Sequence, residues 1–115
     1  MGKHGIGKVS TTIAPAFDGS GSTAVTYHST AVVTFNRDII RLNSGGYRTV
    51  TTKRRMNEVA QAFSLGYRVW QTNHEWYVYW QGNKYTFYDG MILWRDEGKV
   101  TQSEKHGCIR IQPVE

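Results

Sequence analysis

Cysteine occurs once in this 115-residue chain, at Cys108. A single thiol excludes an internal disulfide and any C-x-x-C pair, so a reducing, cytoplasmic compartment is the expectation. As a lone cysteine, Cys108 reads as a small packed side chain rather than a nucleophile. Acidic residues are scarce, nine against fourteen Lys and Arg. No apolar run approaches the ~20 residues that cross a bilayer. No basic start followed by an apolar stretch marks a signal peptide, so no membrane partner is expected. His4, His28, His74 and His106 lack metal-ligand spacing. There is no Walker A loop, nucleophile elbow or dinucleotide fingerprint. His28-Ser29-Thr30 matches half of the paired His-x-Thr signature of two-histidine phosphoesterases, and the other half is missing. No catalytic residue, metal or cofactor is therefore expected, and an enzyme is the less favoured class.

What is present is positive charge in one place. Residues 37–68 hold seven cations (Arg37, Arg41, Arg48, Lys53, Arg54, Arg55, Arg68) against Asp38 and Glu58, which accounts for the whole net charge of +5. Concentrated basicity suggests a face for an acidic partner. At its centre, Ser44-Gly45-Gly46-Tyr47-Arg48-Thr49 reads as a glycine turn leading into a helix with Lys53-Arg54-Arg55 at its start. A helix N-terminus already carries about half a positive charge, so cations are destabilising there unless an anion joins them. Free N–H groups, hydroxyls and cations together describe a phosphate site. Its candidate members are Arg48, Thr51, Thr52, Lys53, Arg54 and Arg55. The competing reading is a solvated face, or cations paired with acids of the same chain.

Residues 1–26 are rich in Gly, Ser, Thr and Ala and read as a flexible arm with a short strand near Ile13, and 27–115 as one domain. Tyr27 to Phe35 and Ile39 to Asn43 suggest a hairpin. Lys53 to Leu65 follows as a helix with Thr52 as N-cap and Met56, Val59, Ala60 and Phe63 as its buried stripe. Strands over 67–71, 75–81 and 84–88 come next, then short ones at 91–95 and 108–112, with 96–105 as loop. The expected fold is α+β: one antiparallel sheet of about five or six strands, order ββ-α-βββ, with one helix packed on one face.

The later strands are unusually aromatic. Trp76, Val78 and Trp80 alternate with Tyr77 and Tyr79, and Trp70 and Tyr88 fall on faces opposite their apolar neighbours. One helix covers one face only. Trp70, Tyr77, Tyr79 and Tyr88 are thus candidates for a platform that stacks bases or meets a protein. The alternative is that most rings serve the core or are ordinary strand formers.

Leu42 to Thr49, Thr51 to Asn57, Leu65 to Trp70 and Glu75 to Val78 together resemble a motif of small tailed-bacteriophage proteins. The resemblance spans about Tyr27 to Arg95 and implies a phage accessory protein in a bacterial cytoplasm. It brings no activity or site residue with it. The leading functional expectation is nucleic-acid binding through the basic helix start and the aromatic sheet. The alternatives are an acidic protein partner, as in a host-factor inhibitor or virion component, and a small-nucleotide binder or enzyme using His28 or His74. An aromatic sheet edge is also compatible with a homodimer.

Overall fold

The computed structural model describes residues 11–16, 21–104 and 107–114. They form β1 (Thr11–Pro15), β2 (Thr23–Tyr27), β3 (Thr30–Phe35), β4 (Ile39–Leu42), α1 (Val50–Ala62), β5 (Arg68–Thr72), β6 (Glu75–Trp80), β7 (Asn83–Thr86), β8 (Met91–Trp94), β9 (Val100–Glu104) and β10 (Gly107–Ile111). The strands make two antiparallel sheets, one of seven in the order β1-β2-β3-β4-β8-β9-β10 and one of three in the order β5-β6-β7. This corrects the expected fold. The protein is mostly β, with two sheets in place of one sheet of five or six strands beneath a helix.

The differences have local causes. β1 forms at the short strand expected near Ile13, while β2 lies in the stretch expected as an arm; of the two strands, Val25 alone plugs fully into the core. The rest of that stretch, residues 1–10 and 17–20, lies outside the described residues. The single strand expected over 27–35 is broken by a turn at His28, where φ is +58°. A register shift then leaves Val32 without a partner on β2, so both Val32 and Val33 turn inward. β9 is polar and was expected as loop. β4 pairs with β8 across the helix and the entire small sheet, a long-range partner that local alternation cannot specify.

Inward rows cross the large sheet in register: Val25–Val33–Leu42–Met91 and Phe35–Ile40–Leu93–Val100. From the small sheet come Val69, Trp76, Val78, Trp80, Tyr85 and Phe87, and from α1 come Met56, Val59 and Ala60, all in one continuous core. The helix starts three residues earlier than expected. Thr49 is its N-cap, its hydroxyl accepting from Thr52 N at 3.1 Å.

Two contacts seat α1 on the small sheet. The Asn57 amide donates to Val69 O and accepts from Val69 N, each at 2.8 Å. Tyr67 Oη donates to Met56 O at 2.6 Å. Val69 is buried, so Asn57→Ala leaves its N–H and C=O without partners or water; each such group costs about 1–3 kcal/mol. Urea unfolding of Asn57→Ala should show a loss of about 2 kcal/mol or more at unchanged m-value. A loss below about 0.5 kcal/mol would deny Asn57 this role.

Burial pushes the Tyr67 phenol pKa well above the ordinary value. The folded chain then keeps a proton that the unfolded chain releases near pH 10, so this contribution is full below about pH 10 and is lost as pH rises toward the folded pKa. Stability should fall as pH rises above about 10, by at most ~1.4 kcal/mol per pH unit from this group. Tyr67→Phe should flatten that decline, and an identical decline in the variant would refute the assignment.

Candidate nucleic-acid interface

The glycine turn is closed and anchored by hydrogen bonds. Gly45 and Gly46 have φ of +64° and +85°, and Tyr47 N donates to Ser44 O at 3.0 Å, the backbone of a type I′ turn. A Cβ on Gly45 would collide with the Thr30 hydroxyl. Ser44 is buried and donates through both N and Oγ to Asp89 Oδ1, at 2.7 Å each. This anchors the turn to the loop before β8.

The cations beyond it divide: Arg48 and Lys53 stand over the touching rings of Phe87 and Trp76, whose centroids are 5.3 Å apart, and Arg55 faces elsewhere. The Arg48 guanidinium lies 5.1 Å from the Phe87 ring centroid. Lys53 Nζ lies 5.7 Å from the Trp76 ring and donates to Gln71 Oε1 at 3.2 Å. Arg55 turns the other way and is buried: its guanidinium lies 5.4 Å from the Tyr27 ring, Nε donates to Thr11 Oγ1 at 3.1 Å, and Nη1 pairs with Glu58 at 3.2 Å. Arg54 is exposed and pairs with no described side chain. Thr52 is buried, and its hydroxyl accepts from Thr49 Oγ1 at 3.0 Å, while Thr51 is half-buried. Because the helix begins at Val50, Arg54 and Arg55 stand in its second turn, where the dipole that would penalise them has faded. Three of the four cations near the helix start answer their electrostatic cost with an aromatic face.

A cavity of about 390 Å³ lies beside this turn, lined by Tyr27, His28, Thr30, Tyr47, Thr49 and Thr52 among others. Among the described residues no Lys or Arg lines it; those that do offer hydroxyls and a histidine.

The aromatic residues do come together. Antiparallel register places directly opposed residues on one face. On the outer face of the small sheet this gives the rows Arg68–Tyr79–Lys84, Trp70–Tyr77–Thr86 and Thr72–Glu75. Trp70 stacks on Tyr79 with centroids 4.8 Å apart and planes 26° apart, and lies 5.6 Å from Tyr77. Lys84 Nζ sits 4.8 Å from the Tyr77 centroid. Tyr79 is 50% exposed, Trp70 and Tyr77 are half-buried, and Arg68, Thr72 and Glu75 are exposed. Tyr88 lies two residues beyond Thr86, exposed and without ring contact to the cluster. Sequence reasoning had three of the four rings together, with Arg68 on the Trp70 face, and overlooked Lys84 and Glu75 beside them. The period-two alternation that found the rings places these residues on the same face.

Among the described residues no helix is long and apolar enough to cross a membrane, and no three His, Cys, Asp or Glu side chains are grouped to hold a metal. The fold and site define a two-sheet β domain with one helix and an aromatic, cationic sheet face that no described element covers. A family model described as Kyanoviridae Gp96 protein matches residues 3–94, and the chain belongs to this family of tailed-phage proteins. No curated protein and no solved structure matches the chain.

The two adjacent arginines should behave oppositely. Arg55→Ala removes buried packing and leaves Glu58 without this partner, so chemical denaturation should show a loss of about 1–3 kcal/mol. Arg54→Ala should stay within about 0.5 kcal/mol of the parent. Equal effects would contradict the burial described.

Proposed function

We propose that this phage protein binds single-stranded nucleic acid on the outer face of the β5-β6-β7 sheet. The carrying observation is the Trp70–Tyr79 stack on a sheet face that no described element covers, flanked in register by Arg68 and Lys84. Aromatic rings on a strand surface stack on any base, and adjacent cations meet the phosphates of the same strand. A duplex hides its base faces, so the same rings would gain little from it. Arg48 and Arg54, exposed at the helix start, would extend the electrostatic attraction without forming a closed phosphate cradle. An acidic protein is the rival occupant, since interfaces favour Trp, Tyr and Arg as well.

Fluorescence anisotropy with labelled single- and double-stranded oligonucleotides tests the proposal. Single strands should bind more tightly. With Arg68 and Lys84 as the two phosphate contacts, the logarithm of affinity should fall with the logarithm of salt at a slope near ~−1.4 over about 50–200 mM. Tyr79→Ala should weaken binding by about 5- to 150-fold, since stacking is worth ~1–3 kcal/mol per base. Equal binding by the variant, or preference for duplex, would refute the proposal. A specific protein retained from nuclease-treated host lysate by the parent, and lost with Tyr79→Ala, would assign the face to an acidic protein instead.

A further inference from the structure

The cavity of about 390 Å³ beside the glycine turn has a buried floor and an exposed rim. Val32, Ser44 and Thr52 belong to the floor, each no more than 2% exposed, while His28, Tyr47 and Thr49 stand at the rim. Three separate features of the chain meet there. The register shift between β2 and β3 turns Val32 inward, and such bulges re-aim side chains and are frequent next to active sites. The two bonds from Ser44 to Asp89 hold the glycine turn in place, and the missing Cβ of Gly45 lets that turn close on Thr30. The start of α1 supplies Thr49 and Thr52.

One donor in the floor has nothing to bond. Thr49 Oγ1 accepts from Thr52 N at 3.1 Å and donates to Thr52 Oγ1 at 3.0 Å. That leaves the Thr52 hydroxyl proton with no acceptor among the described residues. Buried hydroxyls nearly always find a partner, and Thr52 is buried, so only what enters the cavity can take this proton.

The rest of the lining limits what fits. Tyr27 and Tyr47 offer ring faces, and the His28 ring packs 4.3 Å from that of Tyr27. Ser29 and Thr30 add hydroxyls that donate or accept. A helix start favours an acceptor atom with partial negative charge. A phosphate would nonetheless lose its water here without a counter-charge. Arg48 and Lys53 stand over Phe87 and Trp76, and Arg55 is bonded to Thr11 and Glu58. The volume lies at the lower end of small-molecule sites, which run ~300–1,000 Å³.

We propose that this cavity binds an uncharged nucleoside. The base lies against Tyr27 and Tyr47, the ribose hydroxyls meet Ser29 and Thr30, and a carbonyl or ring nitrogen of the base accepts from Thr52. The site lies between the helix start and the large sheet, so it stands independently of the single-strand reading on the small one.

Amide NMR of the full chain, titrated with adenosine, uridine, their 5′-monophosphates and inorganic phosphate, tests this. A nucleoside should give saturable shifts at residues 27–30 and 47–52, and its monophosphate should bind several-fold more weakly. Thr52→Val keeps the shape and removes the hydroxyl; it should weaken nucleoside binding by about 5- to 150-fold, the range for an interaction of ~1–3 kcal/mol. Tyr47 is 69% exposed, so Tyr47→Ala should fold like the parent and also bind more weakly. Tyr79→Ala should change nothing at this site. Absence of saturable shifts from either nucleoside, or parental affinity in both Thr52→Val and Tyr47→Ala, overturns the inference. Tighter binding of the monophosphates or of phosphate alone also overturns it, making the helix start an anion site. Shifts confined to β5–β7 and lost with Tyr79→Ala overturn it too, while leaving the stacking face standing.

Discussion

The small sheet shares no hydrogen-bond ladder with the large one, so its position depends on what seats it. That seat is the Asn57 amide, which completes both backbone groups of Val69 on the outer strand β5. One polar side chain on the helix thereby does what a neighbouring strand would do, and it consumes pairing groups that an edge would expose. Tyr67 adds a second bond from the same segment to the helix backbone. At the far end Gln81 donates to Arg95 O at 2.9 Å and ties the β6–β7 tip to the loop after β8. With the sheet held by its edge and tip, its apolar face closes the core, and no described element covers its other face.

The same constraint explains the charges. A helix packed between two sheets brings its start close to aromatic rings on both sides. Arg48 and Lys53 lie over Phe87 and Trp76 of the small-sheet side, and Arg55 over Tyr27 of the large sheet. Each cation places apolar stem against the core and its charge over a ring face. Basicity concentrated in the sequence is thus divided in space: Arg41 stands on the outer face of the large sheet, Arg68 on that of the small one, and Arg55 is buried.

Patterns with a short period were legible in the sequence. The stripe Met56, Val59, Ala60, Phe63 identified the helix, and three of its members are buried, with Phe63 packed 4.9 Å from Phe35. Alternation through Trp76 to Trp80 placed Tyr77 and Tyr79 on the face opposite the core. What escaped depended on partners distant in the chain. Thr- and Ala-rich β2 gains its order from β3, and polar β9 from β8. The split into two sheets follows from β4 choosing β8 over β5. The direction of each cation depends on which ring lies beside it, and the role of Asn57 on an edge strand that only the assembled fold supplies.

The central claim is that the ring-bearing face of the β5-β6-β7 sheet is where a single strand lies. Ultraviolet cross-linking of the protein to a short single-stranded oligonucleotide, with the adducts mapped by mass spectrometry, tests it most directly. The account predicts adducts on the peptide carrying Trp70, Tyr77 and Tyr79. Adducts confined to the helix start or the large sheet, or none under conditions where the oligonucleotide is bound, would contradict it.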